Sequence, residues 1–269
     1  MQTLIFMEEK GYPPMNSIAT TLDAVCLASQ IILESGGETY RAEETVERMC
    51  QGLGIRHVDV LALPTGLMMT LTLDEEDNTI SRIVRVHTRS IDLNRVDACN
   101  DISRRVACGS MDAVQALAAL QEIKRPKRQK RWLLILAGAL SAASFTVMLG
   151  GSWVDFFVSF FCGALVQLVL PPLSWMRVPP LISSMIAGAL TTLMALCGTL
   201  ALSSVSIEPV ISGAIMPLLP GLAATNAMRD TIRGDLVSGG ARIMEAVLSV
   251  MMLAAGIGLV LSMWGGVRA

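Results

Sequence analysis

The order of apolar and polar residues divides the chain into two unlike halves near residue 131. Before this point charges are dense and apolar residues recur periodically, whereas after it long apolar runs alternate with short polar loops. A helix that crosses the roughly 30 Å hydrocarbon core needs about 20 apolar residues. The second half therefore predicts a membrane domain over 132–269 with five transmembrane helices, at about 132–150, 153–172, 179–201, 208–228 and 241–264.

The first half, residues 1–131, predicts a domain of mixed helices and strands. Two alternating runs, 57–73 and 79–89, indicate strands joined by an acidic turn at 74–78. The acidic residues are contiguous and lack the spacing and glycine of a calcium loop, so a solvated hairpin tip is the interpretation. Helical periodicity appears at about 17–34, 38–53, 92–107 and 110–123.

The predicted fold class is thus an integral membrane protein with a cytoplasmic α+β N-terminal domain followed by an all-α bundle of five transmembrane helices. Composition agrees, because 52% of the residues are hydrophobic and the mean hydropathy is +0.56. The net charge of -2 gives no electrostatic case for nucleic acid. Six scattered cysteines without a CxxC pair predict buried, reduced thiols, and we expect neither a metal nor a cofactor.

A basic cluster at 124–131 precedes the first apolar run directly. Positive residues collect on the cytoplasmic side of membrane helices. The loops at 173–178 and 229–240 also carry arginines. The other two short loops, which contain "GGS" and "SSVSI", hold no Lys or Arg. This pattern predicts a cytoplasmic N-terminus and a C-terminus outside. The lysines and arginines of the cluster are Lys124, Arg125, Lys127, Arg128, Lys130 and Arg131.

The segment 217–230, "PLLPGLAATNAMRD", is unusual for a membrane helix. Pro217 and Pro220 each remove a hydrogen-bond donor and clash with the preceding turn, and Gly221 permits bending. Backbone carbonyls freed in a membrane need a neighbouring helix, water or a ligand. Transporters place substrate sites at such broken helices, so a site is one interpretation and an ordinary proline kink is the other.

Polar residues gather after this predicted break. Asn226 and Asp230 share a helix face at (i, i+4), Asp235 follows, and Arg242 and Glu245 open the last span at (i, i+3). We predict Glu245 as the residue that couples transport to protons, because partial dehydration favours the neutral acid while a nearby guanidinium favours the carboxylate. Asp230, expected to be more hydrated, is the alternative, and an Arg242 to Glu245 salt bridge at headgroup level is the structural interpretation.

Two stretches resemble motifs of the threonine/serine exporter family. Residues 218–246 match its Pro-Gly, Asn-Ala, Asp, Gly-Asp, Gly, Arg and Glu-Ala pattern. Residues 34–54, "ESGGETYRAEETVERMCQGLG", resemble its N-terminal motif, with Gly37, Glu38, Arg41 and Glu43 at matching places. The resemblance implies export of threonine, serine or succinate across the bacterial inner membrane, driven by the proton gradient.

The family has a fused form and a split form in which two chains share the work. With five predicted spans, the chain is similar to the larger component of the split form. The resemblance therefore implies a small membrane companion of four or five spans, besides the lipid bilayer and a small-molecule substrate. The residues do not decide between a zwitterionic amino acid and a dicarboxylate.

Two other classes of function compete with a transporter subunit. One is a membrane-anchored cytoplasmic sensing or interaction domain whose helix bundle is only a scaffold. The other is an enzyme, which we do not predict because HExxH, GxSxG and Cys-His pairings are absent from the sequence. Charged residues on a helix face usually just stabilise it, but we hypothesise that Glu38, Arg41 and Glu43 also gate the cytoplasmic entrance.

Overall fold

The computed structural model describes residues 15–55, 57–72, 79–87, 89–125 and 130–268. Its helices and strands follow one another along the chain in a fixed order that begins with two helices and a small sheet. That order is α1 (Met15–Glu34), α2 (Thr39–Gly52), β1 (His57–Leu63), β2 (Gly66–Thr72), β3 (Thr79–Arg85), α3 (Leu93–Ala107), α4 (Ala113–Lys124), α5 (Arg131–Met148), α6 (Trp153–Trp175), α7 (Pro180–Ala201), α8 (Ile207–Ile215), a 3₁₀ turn (Met216–Leu218), α9 (Gly221–Ile232) and α10 (Leu236–Arg268).

The chain folds as two compact units. The first unit comprises Met1–Lys127 with Leu222–Arg242, and the second comprises Arg128–Gly221 with Ile243–Ala269. Residues 222–242 lie within the membrane domain that the sequence predicts over 132–269. They group with the first unit because their polar side chains bind its backbone and carboxylates, as described below.

The sheet of the first unit is antiparallel, in the order β1-β2-β3. Leu63 pairs with Gly66, so a tight turn at 64–65 joins β1 to β2. The prediction of one strand run over 57–73 is therefore wrong, because Pro64 and Thr65 form a hairpin turn inside it. The acidic turn at 74–78 lies outside the described residues.

Four helices pack with this sheet, and their bounds lie within a few residues of the predicted ones. Their apolar stripes form one core with the buried face of β2, which presents alternate residues as the pleat requires. Ile31 and Ile32 of α1 and Met49 of α2 are almost fully buried there, as are Leu67 and Leu71. This core packs together the two helices that flank the loop between α1 and α2.

The second unit is built from apolar helices. Of the described helices, α5, α6, α7 and α10 are long and apolar enough to cross a membrane, and the bent α8–α9 pair would make a fifth span. Only 17–33% of the most apolar window in each of the four is buried. The remaining apolar surface is suited to contact with lipid or other membrane helices.

The predicted break in the fourth span is confirmed. Helix α8 ends at Ile215, a 3₁₀ turn follows, α9 begins at Gly221, and the two helices are bent by 55°. Leu219 is extended, with ψ 137°, which is the conformation that a residue before proline prefers. Pro220 therefore sets the break through the residue that precedes it.

A buried carboxylate fastens the start of α6. Asp155 is fully buried and accepts hydrogen bonds from the backbone N–H of Ser152 (2.8 Å) and from that of Ser206 (2.8 Å). Asp155 thus joins the helix cap to the segment before α8.

In the same unit, helices α10 and α7 make close backbone contact. A Cβ built on Gly256 of α10 would lie 2.0 Å from the carbonyl oxygen of Met185 in α7.

The cysteines only partly follow the prediction. All six are free thiols, and four are buried, but Cys108 and Cys197 are exposed. Within the described ranges no group of three or more His, Cys, Asp and Glu residues could hold a metal ion.

Candidate functional site

The site begins at the double glycine that ends α1. Gly36 has φ +80°, the left-handed conformation that glycine adopts without strain, and its N–H donates to Leu33 O (3.4 Å). The N–H of Gly37 donates to Ile32 O at 2.9 Å, which completes a Schellman cap. A Cβ on Gly37 would lie 2.5 Å from Cγ2 of Ile32, so this turn requires glycine. The cap uses the N–H groups and leaves both glycine carbonyls available as acceptors.

Side chains from α9 and α10 bind those two carbonyls. Asn226 donates from Nδ2 to Gly36 O at 2.9 Å, across 190 positions of the chain. Arg242 donates from its guanidinium to Gly37 O at 2.9 Å, across 205 positions. Both Asn226 and Arg242 are buried. The two motifs found in the sequence therefore form a single structural junction.

Glu38, the next residue, carries the charge at this junction. Its carboxylate lies 2.7 Å from Nε of Arg41 and accepts a hydrogen bond from the guanidinium of Arg229. The Glu38 side chain is 9% exposed, whereas those of Arg41 and Arg229 are 39% and 50% exposed. Burial raises the pKa of Glu38, but hydrogen bonds from its own backbone and from Arg229, with the two positive charges, lower the pKa below its ordinary value overall.

A second ion pair lies on α9 and α10. Oδ2 of Asp230 is 3.1 Å from Nε of Arg242, and both side chains are buried. Asp235 accepts a hydrogen bond from Oγ1 of Thr39 at 3.2 Å. Helices α9 and α10 thus pair with each other through Asp230 and Arg242, and Asp235 between them binds Thr39 at the start of α2.

Glu43 faces a different neighbour. Its Oε1 accepts a hydrogen bond from the N–H of Ala62 at 2.8 Å, which ties α2 to β1. Burial raises the pKa of Glu43, and the negative charges of Asp235, Glu47 and Asp230 raise it further, although the Ala62 N–H opposes them. Glu43 is therefore the residue of the N-terminal motif that binds the backbone of β1.

A cavity of about 320 Å³ opens beside the junction, within the first unit. It is bounded by the α1–α2 turn, by one face of α3 and by the first turns of α9. Apolar, amide and charged groups of both signs line it. They are Gly36, Gly37, Glu38, Arg41, Leu93, Val96, Asp97, Asn100, Leu222, Thr225, Asn226 and Arg229.

Three site residues were not expected from the sequence. Tyr40 packs under the guanidinium of Arg233, whose carbon lies 3.6 Å from the ring centroid, a cation–π contact. Asp97 and Asn100 line the cavity from α3. Tyr40 lies inside the N-terminal motif and could have been noticed there, but Asp97 and Asn100 look like ordinary solvated positions of an amphipathic helix.

The two candidate coupling carboxylates differ in burial. Within the chain Asp230 is fully buried, whereas Glu245 is exposed. The hydration of each carboxylate in the membrane stays a prediction. Arg242, which was expected to pair with Glu245 in the structural interpretation, forms an ion pair with Asp230.

A family model described as "Putative threonine/serine exporter" matches residues 23–264, which includes both motifs. The chain belongs to this family. No solved structure matches the chain significantly.

Two relatives illustrate the family's forms. The chain is 28% identical to the "Probable succinate transporter subunit YjjP" of Klebsiella aerogenes over 87% of its own length and 90% of the relative's. It is 26% identical to the "Probable threonine/serine exporter" of Mycobacterium tuberculosis over 92% of its own length and 46% of the relative's. These relatives are named as a transporter subunit and an exporter, not as enzymes. With its apolar helices, the chain is a multi-pass membrane protein.

Proposed function

We propose that the chain is one subunit of a secondary transporter in the bacterial inner membrane, which exports a small hydrophilic metabolite of the threonine, serine or succinate type. Family membership supports export, and the chain spans nearly the whole YjjP relative but about half of the Mycobacterium exporter. A chain of this extent is suited to one half of a two-part transporter. The missing half is a small membrane companion of four or five spans.

One observation carries the proposal: a broken helix leads directly into a cluster of buried charged and amide groups. Pro217, Pro220 and Gly221 form the break. The helix that follows presents Asn226 and Asp230 on one buried face. A scaffold helix needs neither a break nor buried charge, whereas a substrate path uses both.

We propose that proton coupling passes through Asp230, and we keep Glu245 as the alternative. Two observations support Asp230: its side chain is fully buried, and it lies 3.1 Å from the guanidinium of Arg242. Protonation of Asp230 would release Arg242, and with it the hydrogen bond to Gly37 O. A proton could thereby change the contact between α10 and the α1–α2 turn.

The Asp230→Asn and Glu245→Gln variants distinguish the two carboxylates, because each keeps the shape but cannot carry the charge. The coupling residue's variant should reach the membrane at normal levels, lose proton-driven export and retain substrate exchange. Export like wild type in both variants would end the coupling proposal.

The N-terminal motif is proposed to gate the cytoplasmic side, with Gly37, Glu38, Arg41 and Glu43 as its residues. Glu38 holds α9 through Arg229, so its release would free the helix that follows the break. Arg41→Ala should therefore leave the protein inserted but impair export. If deletion of residues 1–120 left export unchanged, the gating proposal would be wrong.

Export itself is tested by metabolite release from loaded cells. Cells with the chain and its companion should release threonine, serine or succinate faster than cells without them, and a proton uncoupler should abolish the difference. Equal release in both cells would reject the transporter and favour the sensing or interaction domain. Full transport by the purified chain alone in vesicles would reject the companion.

A further inference from the structure

We propose that the outer face of the α9–α10 hairpin, whose turn the sequence assigns to a cytoplasmic loop, is immersed in the acyl chains of the bilayer. The hairpin consists of α9, the turn at 233–235 and the first residues of α10. Its outer face carries large apolar side chains that are 65–78% exposed within the chain. Lipid contact at this face does not depend on which metabolite is exported. The four side chains are those of Met228, Ile232, Leu236 and Val237.

Helix α9 has a buried polar side and an exposed apolar side. Asn226 and Asp230 are both buried on the first of these sides. Met228 and Ile232 project about 120–160° away from them around the helix, at about 100° per residue. The amide and the carboxylate of α9 therefore contact protein, while its large apolar side chains do not.

The arginines of α9 also bind the first unit. Arg229 donates a hydrogen bond to the carboxylate of Glu38. The guanidinium of Arg233 lies over the ring of Tyr40, 3.6 Å from its centroid. Both arginines are partly exposed, as long side chains at a membrane boundary are when their charged ends reach out of the apolar layer. The positive charges that predicted a loop in water thus have partners on α2 and at its start.

The start of α10 repeats the arrangement of α9. Ser238 and Arg242 are buried, and they donate to backbone carbonyls of β1 and of the α1–α2 turn. Leu236 and Val237 are exposed instead. A Cβ on Gly239 would lie 2.9 Å from a backbone carbonyl oxygen of α9, so the two helices pack closely and form one outer face.

This polarity is the reverse of that at a surface covered by water. A helix at such a surface turns its apolar residues toward the core and its polar residues toward solvent. In a membrane, charged groups face the protein interior and apolar groups face outward. A contiguous apolar patch of this kind marks contact with a membrane or with another protein.

Two observations favour lipid over a partner protein. Helix α10 begins the apolar span Leu236–Gly265, so the exposed residues at its start are part of a helix with the composition of a membrane span. Helices α8 and α9 also have that composition when they are taken together as one bent span. The apolar face therefore belongs to segments that a bilayer surrounds. Through Asn226 and Arg242, a hairpin immersed in lipid would hold the α1–α2 turn at the membrane surface.

The test is quenching of a fluorescent label by lipid. Cys108 and Cys197 are replaced by serine, because these two thiols are exposed whereas the other four are buried. Ile232→Cys is then labelled with bimane in the full chain and reconstituted in phosphatidylcholine vesicles with brominated acyl chains. The label should lose the same fraction of its fluorescence as a label at Phe161→Cys, an exposed position within α6. Iodide in the water should quench neither label.

Ile83→Cys is the matched control. Ile83 is 67% exposed, but it lies on β3 among exposed polar residues. A label at this position should be quenched by iodide and not by brominated lipid. Leu236→Cys is a second reporter on the hairpin and should behave like Ile232→Cys.

Two results would overturn the proposal. One is lipid quenching at both hairpin positions that is no greater than at Ile83, because the hairpin would then face water. The other is lipid quenching that disappears when the companion is reconstituted with the chain, because a protein would then cover the face. Equal lipid quenching with and without the companion supports the proposal, whether or not the vesicles transport a metabolite.

Discussion

Replacing Glu38 by glutamine tests the charge at the junction most simply. The substitution keeps the side-chain shape but removes the charge that Arg41 and Arg229 share. Removing one partner of a fully buried ion pair costs about 3–5 kcal/mol. Here both guanidiniums are partly exposed and can regain water, so the value for a charged hydrogen bond, about 1.5–3 kcal/mol, applies.

The cost should depend on pH in a defined direction. The folded protein holds the pKa of Glu38 below its ordinary value of 4.5, because hydrogen bonds and two positive charges outweigh burial. The charge therefore stabilises the fold fully above about pH 4.5, and this contribution is lost as the pH falls through the lowered pKa. The difference between wild type and Glu38→Gln should accordingly be largest near pH 7 and shrink below pH 4.5.

The assay is unfolding of the purified protein by sodium dodecyl sulfate in mixed micelles, followed by circular dichroism at several pH values. Glu44→Gln is the matched control, because Glu44 pairs with Arg48 on the same helix and is 56% exposed. An exposed pair of this kind is worth about 0.2–1 kcal/mol. Equal costs for the two variants, or a Glu38 effect that does not change with pH, would refute the reasoning.

Two contacts in the second unit and the predicted orientation of the spans can be tested separately. Gly256→Ala should lower the free energy of unfolding by about 1–3 kcal/mol, because its Cβ would lie 2.0 Å from the carbonyl oxygen of Met185. Gly258→Ala is the control and should change stability little, because no atom lies within 4 Å of the added Cβ. Thermal unfolding of the two variants would be compared with that of wild type. Asp155→Ala should destabilise by about 1–3 kcal/mol, because it removes the buried carboxylate that accepts hydrogen bonds from the N–H groups of Ser152 and Ser206. Wild-type stability in the same assay would contradict this prediction. A reporter fused after Ala269 should be active only outside the cell. Activity in the cytoplasm would contradict the prediction of five spans with the C-terminus outside.

Local chemistry explains what the sequence could predict. Helical periodicity identified α1 to α4 and the apolar spans, because it depends only on neighbouring residues. The break before α9 was predicted for the same reason, since Pro220 acts on the adjacent Leu219. The turn at 64–65 was missed because it interrupts an otherwise continuous run of strand-forming residues.

Long-range contacts explain what the sequence could not predict. Nothing near Asn226 indicates that its partner is Gly36, 190 positions away. The burial of Asp230 was not predicted because distance from a loop along the chain does not report which elements cover a residue. Asp97 was missed because its role in the cavity depends on groups from α2 and α9.

The central claim is that the two motifs form one functional junction, and a double-mutant cycle on export tests it most directly. Glu38→Gln, Arg229→Gln and the double variant would be compared in the metabolite release assay, in cells that also express the companion. Because the two side chains contact each other, the double variant should lose no more activity than the worse single variant. Losses that simply add in free energy would contradict the claim, since they would mean that the two motifs act independently.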